Sequence, residues 1–288
     1  MSIDQTTSAE TATAKATGAN ATQRFVHDKV VGAATPPERV SLLAREVLAS
    51  VYETVRRHHV TYDEYNALKA WLISVGDTGE WPLFLDVFLE HVVEDVNSEN
   101  RAGSKGTIEG PFYVPDAPGF QTEATLPTRE DEKGTPLLFR GQVTAVDGGA
   151  AIAGATVEIW HADSDGYYSQ FAPGIPEWNL RGTVTADDEG RFWIHTLRPA
   201  PYQIPTDGAC GALIRAAGWH PWRPAHLHLK VGAPGYQLVT TQLYFPGDEH
   251  NDDDVASAVK PELMLNPQQV DGGEQVTYDF ALAASERA

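Results

Sequence analysis

Apolar positions change their period about a third of the way along the chain. From Pro37 to about Asn97 they recur at helical spacing, as in Leu42, Leu43, Val47, Leu48, Val51 and Val55. Thr61-Tyr62-Asp63-Glu64 reads as a capping box, with Thr61 as N-cap and Glu64 at the third helical position. It opens a second helix carrying Tyr65, Leu68, Trp71, Leu72 and Val75. A third helix is expected from about Trp81 to Val96, through Leu83, Phe84, Val87, Phe88 and Val92. The polar, Gly-containing stretch from Asn97 to Glu109 reads as a linker. From Pro136 the pattern turns to short β-prone runs: Leu137 to Val146, Thr156 to His161, Leu180 to Ala186, Phe192 to Leu197, His226 to Val231, Val239 to Phe245 and Gln275 to Leu282. Gly and Pro punctuate them, as in Asp147-Gly148-Gly149.

Seven short strands at turn-bounded spacing predict a β-sandwich. The expected fold is therefore mainly β with an α-helical N-terminal segment. The sequence divides into a Ser-, Thr- and Ala-rich tail over 1–36, read as disordered, a helical region over 37–109, and a sandwich over 110–288. No internal repeat is visible.

Composition narrows the function. A chain of 288 residues that is 42% hydrophobic can bury a sizeable core. A net charge of −19 argues against nucleic acid and against an anionic membrane surface. Part of that charge lies in Glu130-Asp131-Glu132 and Asp252-Asp253-Asp254, which read as solvated loops. The single cysteine, Cys210, fits a reducing compartment. No apolar window is long enough to span a bilayer, and the first residues lack an export signal, so the expectation is a cytoplasmic protein.

The chemistry concentrates in three places. They are Glu158 to Ser169, a strand running into a loop; Arg198 to Pro205, an irregular Pro-flanked stretch around Tyr202; and Arg223-Pro224-Ala225-His226-Leu227-His228. Residues two apart in a strand share a face, so His226 and His228 present two imidazoles side by side, as one metal ion would require. Their neighbours Ala225, Leu227, Leu229 and Val231 are apolar. Two histidines buried in such a strand need a partner. Without a Cys cluster or a His-Glu-x-x-His helix, structural zinc and zincin readings fail. No distinctive His-x-Asp or His-x-Glu motif supplies the carboxylate of an Fe(II) facial triad. Tyr168 and Tyr202 remain as candidate ligands. A free phenol has a pKa of about 10, and a bound cation can remove its proton. Two phenolates and two imidazoles would favour Fe(III). Either tyrosine could instead be an ordinary packing residue.

Three stretches together carry a resemblance: Glu158-Ile159 followed by six residues and Gly166-Tyr167-Tyr168; Pro201-Tyr202-Gln203-Ile204-Pro205; and His220-Pro221-Trp222-Arg223-Pro224-Ala225-His226-Leu227-His228. From about Val40 to its end the chain resembles the intradiol ring-cleavage dioxygenases, in the branch of catechol and chlorocatechol 1,2-dioxygenases. The resemblance implies that Tyr168, Tyr202, His226 and His228 hold Fe(III), with Tyr202 the ligand displaced by substrate. It also implies that Arg223 stabilises charge developing on the ring and that Gln242 helps orient the oxygen step. Leu83, Asp86, Ile108, Pro111 and Phe112 match positions that line the ring pocket. The implied reaction cuts a catechol with O2 between its hydroxyl-bearing carbons, giving a cis,cis-muconate. Asp86 also occurs at that place in hydroxyquinol-cleaving relatives, whose product is maleylacetate. The resemblance further implies a homodimer through the N-terminal helices, with lipid at the interface. Two rivals stand beside this reading: extradiol cleavage, and a non-catalytic β-sandwich ligand-binding module with structural histidines.

Overall fold

The computed structural model describes residues 35–285, so the expected tail over 1–36 lies almost wholly outside the described residues. The chain forms two compact units, one ending at Trp81 and one beginning at Pro82.

The first unit holds α1 (Pro37–His58) and α2 (Tyr62–Asp77). Pro37 starts α1, where its missing N–H costs no hydrogen bond. His59 ends it in a left-handed conformation, and Arg56 and Arg57 place cations at the negative end of its dipole. The capping box of α2 forms as the sequence predicts: Thr61 Oγ1 accepts from the Glu64 amide, and the Glu64 carboxylate accepts from the Thr61 amide at 2.7 Å.

The second unit begins inside α3 (Trp81–Phe88), which is followed by α4 (Glu90–Ser98), where one helix was expected. The break is a single residue, Leu89, at φ −127° and ψ −30°. Beyond it the Glu90 carboxylate accepts from the amides of Glu109 and Gly110 at 2.9 and 3.2 Å. That contact ties the start of α4 to the 108–112 segment, a long-range pairing that helical periodicity does not encode. The expected linker is thus shorter, because α4 runs on to Ser98.

The strands are β1 (Gly119–Phe120), β2 (Glu123–Thr125), β3 (Pro136–Ala145), β4 (Thr156–Trp160), β5 (Arg181–Thr185), β6 (Arg191–Leu197), β7 (Tyr202–Gln203), β8 (Trp222–Arg223), β9 (His226–Gly232), β10 (Val239–Tyr244), β11 (Gln268–Val270), β12 (Gly273–Thr277) and β13 (Phe280–Leu282). All seven expected strands form within a few residues of their predicted bounds, the last divided into β12 and β13. One sheet has the order β1-β5-β4-β9-β10, and the other β11-β12-β3-β6-β2 with β13 also on β3. Strands β7 and β8 pair alone. A short helix, α5 (Ala209–Ala217), has no counterpart in the strand-dominated reading of this stretch.

One core holds the two sheets together. Val157, Ile159, Leu227, Leu229 and Val231 from the first meet Leu137, Phe139, Val143, Phe192, Ile194 and Phe280 from the second. Alternation then fixes the site. Because Leu227 and Leu229 point into this core, His226 and His228 must point to the opposite face of β9. Both faces of β9 are buried, so the histidines lie under a second layer of protein.

Candidate functional site

Register assembles the site around His228. Its neighbours across the ladder are Trp160 on β4 and Gln242 on β10, while Tyr244 lies opposite His226. The Trp160 ring stacks on the His228 ring at 4.8 Å and 11°. Tyr202 on β7 pairs with Arg223 on β8, which brings the tyrosine loop beside the start of the His-x-His strand. Gly166 makes the approach of the Tyr168 loop possible: its φ is +85°, and a Cβ there would lie 2.9 Å from the Tyr202 Cβ.

The four expected ligands converge. Tyr168, Tyr202, His226 and His228 are all buried. His226 Nε2 lies 3.0 Å from His228 Nε2 and 3.5 Å from Tyr168 Oη, and His228 Nε2 lies 3.1 Å from Tyr168 Oη. The Tyr202 ring is 5.3 Å from that of Tyr168 and 5.7 Å from that of His226. The Tyr202 hydroxyl makes no hydrogen bond of ordinary geometry among the described residues.

The protonation states follow from this packing. His226 Nδ1 lies 2.7 Å from the Pro224 carbonyl, an acceptor only, so Nδ1 carries the proton and Nε2 turns a lone pair inward. Burial, and then the Arg223 charge, push the His226 pKa down to about 3. Burial, and then His226, hold that of His228 well below the usual range. Burial raises both phenols above theirs, Tyr168 further by Tyr202, whereas Arg223 opposes the rise at Tyr202. Unaided, the site is four neutral side chains crowded together, with two imidazole nitrogens facing each other. A buried lone pair facing another imidazole at 3.0 Å, beside an unpartnered hydroxyl, fits a metal ion at their centre.

Arg223 borders this centre at 1% exposure. Its Nε and Nη2 each donate to Asp254 at 3.0 Å, its Nη2 also to Gln242 Oε1 at 2.9 Å, and its Nη1 lies 3.3 Å from His226 Nε2. Gln242 is held in turn. Its Nε2 donates to the Ile108 carbonyl at 2.9 Å, and its Oε1 accepts from the Tyr244 hydroxyl at 2.8 Å. Burial alone would raise the Asp254 pKa. Arg223 and the amides of Ala256 and Ala258 outweigh it and hold the carboxyl below the ordinary range.

The expected pocket residues fall into two groups. Ile108, Pro111 and Phe112 belong to the segment over the tetrad: Phe112 stacks on Tyr168 at 4.5 Å, and Gly110 packs against the His228 ring. Leu83 and Asp86 are buried on α3 with Val87, so Asp86 is no surface carboxylate. Sequence reasoning missed Asp254, Trp160 and Tyr244. It read the 252–254 run as solvated, yet Asp254 is buried. The other acidic run behaves alike, with the Glu132 side chain 3% exposed against Arg129.

The chain is similar to known proteins along most of its length. Residues 108–284 match the dioxygenase family model, and residues 37–105 match the model for the catechol dioxygenase N terminus. A chlorocatechol 1,2-dioxygenase from Rhodococcus opacus is 41% identical over 84% of this chain and 96% of its own length. A hydroxyquinol 1,2-dioxygenase from Rhizobium sp. is 33% identical over 85% of this chain and 89% of its own. The crystal structure of 3-chlorocatechol 1,2-dioxygenase from Rhodococcus opacus 1CP superimposes with a TM-score of 0.83 at 42% identity, over 87% of this chain and all of that one.

The chain therefore belongs to the intradiol ring-cleavage dioxygenases. It is an enzyme of catechol-type ring cleavage, and that family implies a metal cofactor. The non-catalytic and extradiol rivals fall with this membership.

The Arg223–Asp254 fork gives a direct test. Asp254→Asn leaves a buried guanidinium short of its counter-charge and should cost about 3–5 kcal/mol in urea unfolding. Asp253→Asn, at a half-exposed neighbour, should cost less than about 0.5 kcal/mol. Because the folded Asp254 pKa is depressed, its contribution is complete at neutral pH and is lost on acidification below about pH 4. Equal losses in the two variants would refute the assignment.

Proposed function

We propose that this enzyme uses Fe(III) held by Tyr168, Tyr202, His226 and His228 to cleave a substituted catechol with O2, giving a cis,cis-muconate. The observation that carries the reading is the convergence of one phenol and two neutral imidazoles within 3.5 Å, beside the unpartnered hydroxyl of Tyr202. Imidazole and phenolate donors without a carboxylate suit a hard trivalent ion. When bound, the ferric ion supplies the activation that a spin-paired catechol needs to react with O2.

The protein's own residues divide the remaining work. Tyr168 is the tyrosine that stays. Its loop is pinned on one side by Asp163, which accepts from the Tyr167 amide, and on the other by Arg181, which donates to Ser169. Tyr202 is the tyrosine that leaves: it sits on a two-residue strand, and as the phenolate it would be when holding the ion, its oxygen could take one proton from the incoming diol and become the neutral phenol. Arg223, fixed by Asp254, stabilises negative charge developing on the ring as a preorganised cation. Gln242, held by Ile108 and Tyr244, orients the oxygen step. Leu83, Asp86, Ile108, Pro111 and Phe112 line the ring.

Chlorocatechol is the leading substrate, from the 41% identity to the Rhodococcus opacus enzyme of that name. Hydroxyquinol, giving maleylacetate, is the second reading, and the buried carboxylate of Asp86 favours it because a ring hydroxyl could donate there. The chain pairs as a homodimer through α1, which buries none of its residues and exposes Val47, Val51, Tyr52 and Val55, and lipid can share that apolar face.

Product analysis under 18O2 tests the reaction. A dicarboxylic acid carrying both labelled atoms is expected, and a ring-opened semialdehyde would refute intradiol cleavage. In the same assay Asp86→Ala should change the ratios of kcat/KM among catechol, 4-chlorocatechol and hydroxyquinol by about tenfold to a hundredfold, the worth of one hydrogen bond to a charged group. Unchanged ratios would put Asp86 outside the pocket. Light scattering should give a dimer at micromolar concentration, and a monomer would contradict the role of α1.

A further inference from the structure

A second cluster of metal-ligating groups lies outside the tetrad. His220, His250 and Asp253 each offer a ligand atom, and these atoms lie within 4.8 Å of one another. Asp253 binds both imidazoles: its Oδ1 is 3.1 Å from His250 Nδ1, and its Oδ2 is 3.4 Å from His220 Nε2. The His250 ring is fixed between two others, stacked on Trp222 at 5.2 Å and 8° and on His220 at 5.5 Å and 21°. The loop carrying it is anchored as well. Asp248 accepts from the amides of Ala225 and His250, and Asn251 donates to the Phe245 carbonyl. The His250 side chain is 12% exposed, that of His220 38% and that of Asp253 53%, so the cluster opens to solvent on one side.

We propose that His220, His250 and Asp253 form a separate site for a divalent transition-metal ion of the zinc class. Two imidazoles and one carboxylate make a donor set for Zn2+, Ni2+ or Cu2+ rather than for Mg2+ or Ca2+, which prefer oxygen. The open side leaves room for water to complete the coordination. Nothing in the ring-cleavage reading uses these residues, so the site stands independently of it.

The site is coupled to the tetrad through its neighbours. Asp253 precedes Asp254, and Trp222 precedes Arg223, so the cluster touches both halves of the fork by one residue each. His220 Nδ1 accepts from the Trp222 amide at 3.2 Å, which leaves the proton on Nε2. An ion at Nε2 moves that proton to Nδ1 and removes the contact from β8, the strand carrying Arg223. Occupancy therefore loosens the placement of the Arg223 side chain and lowers turnover while the four tetrad side chains stay in place.

Titration of the purified protein, at constant iron content, with Zn2+ in a calorimeter tests this. Wild type should show saturable binding of about one equivalent, and His250→Gln and Asp253→Asn should each weaken it at least about tenfold. Visible absorption should stay unchanged throughout, which separates the new site from displacement of iron. In parallel, zinc should lower kcat of wild type and leave both variants unaffected. Equal affinity in wild type and variants, or no saturable binding up to about 1 mM, would overturn the site. Zinc binding with no change in kcat would overturn its coupling to Arg223.

Discussion

A fully buried guanidinium beside two neutral imidazoles sets the terms for the rest of this structure. Arg223 lowers the pKa of His226 after burial itself, and that of His228 after burial and His226. It also opposes the rise in the pKa of Tyr202. Such a charge is tolerable in the interior only because Asp254 meets it with two hydrogen bonds and Gln242 adds a third. The result is a pocket that keeps its nitrogen lone pairs unprotonated at neutral pH, with a fixed guanidinium at its edge. Unprotonated imidazoles are what metal ligation requires, and a fixed cation is what an anionic ring would meet.

The sandwich makes that pocket possible by geometry alone. Strand β9 is buried on both faces, so the alternation that sends Leu227 and Leu229 into the core sends His226 and His228 to the other side. Neighbouring strands then deliver Trp160 and Gln242 to the same level. The loops over this face bring the two tyrosines, one tightly pinned and one on a strand of two residues.

Local rules made much of this legible in the sequence. The capping box at Thr61, the seven expected strands and the shared face of His226 and His228 follow from short-range periodicity and appear where expected, the last strand in two pieces. What stayed hidden depends on contacts between distant residues. Asp254 looks like its neighbours Asp252 and Asp253 until Arg223, 31 positions earlier, is brought against it. The break at Leu89 accompanies the meeting of Glu90 with the amides of Glu109 and Gly110. The stacking of Trp160 on His228 depends on strand register, which periodicity within a strand does not reveal. Helix α5 is short and lies in a Gly-flanked stretch, too brief for a helical period to stand out.

In the proposed enzyme two buried tyrosines hold a ferric ion, one that stays and one that leaves. Visible absorption with anaerobic addition of catechol tests it most directly, because tyrosinate bound to Fe(III) is coloured. The protein should carry about one iron per chain and be red. Catechol should remove one tyrosinate contribution in wild type. Tyr202→Phe should start without that contribution and lose none, whereas Tyr168→Phe should weaken iron retention. A colourless, iron-free protein that still cleaves catechol, or a wild-type spectrum in which catechol displaces no tyrosinate, would contradict it.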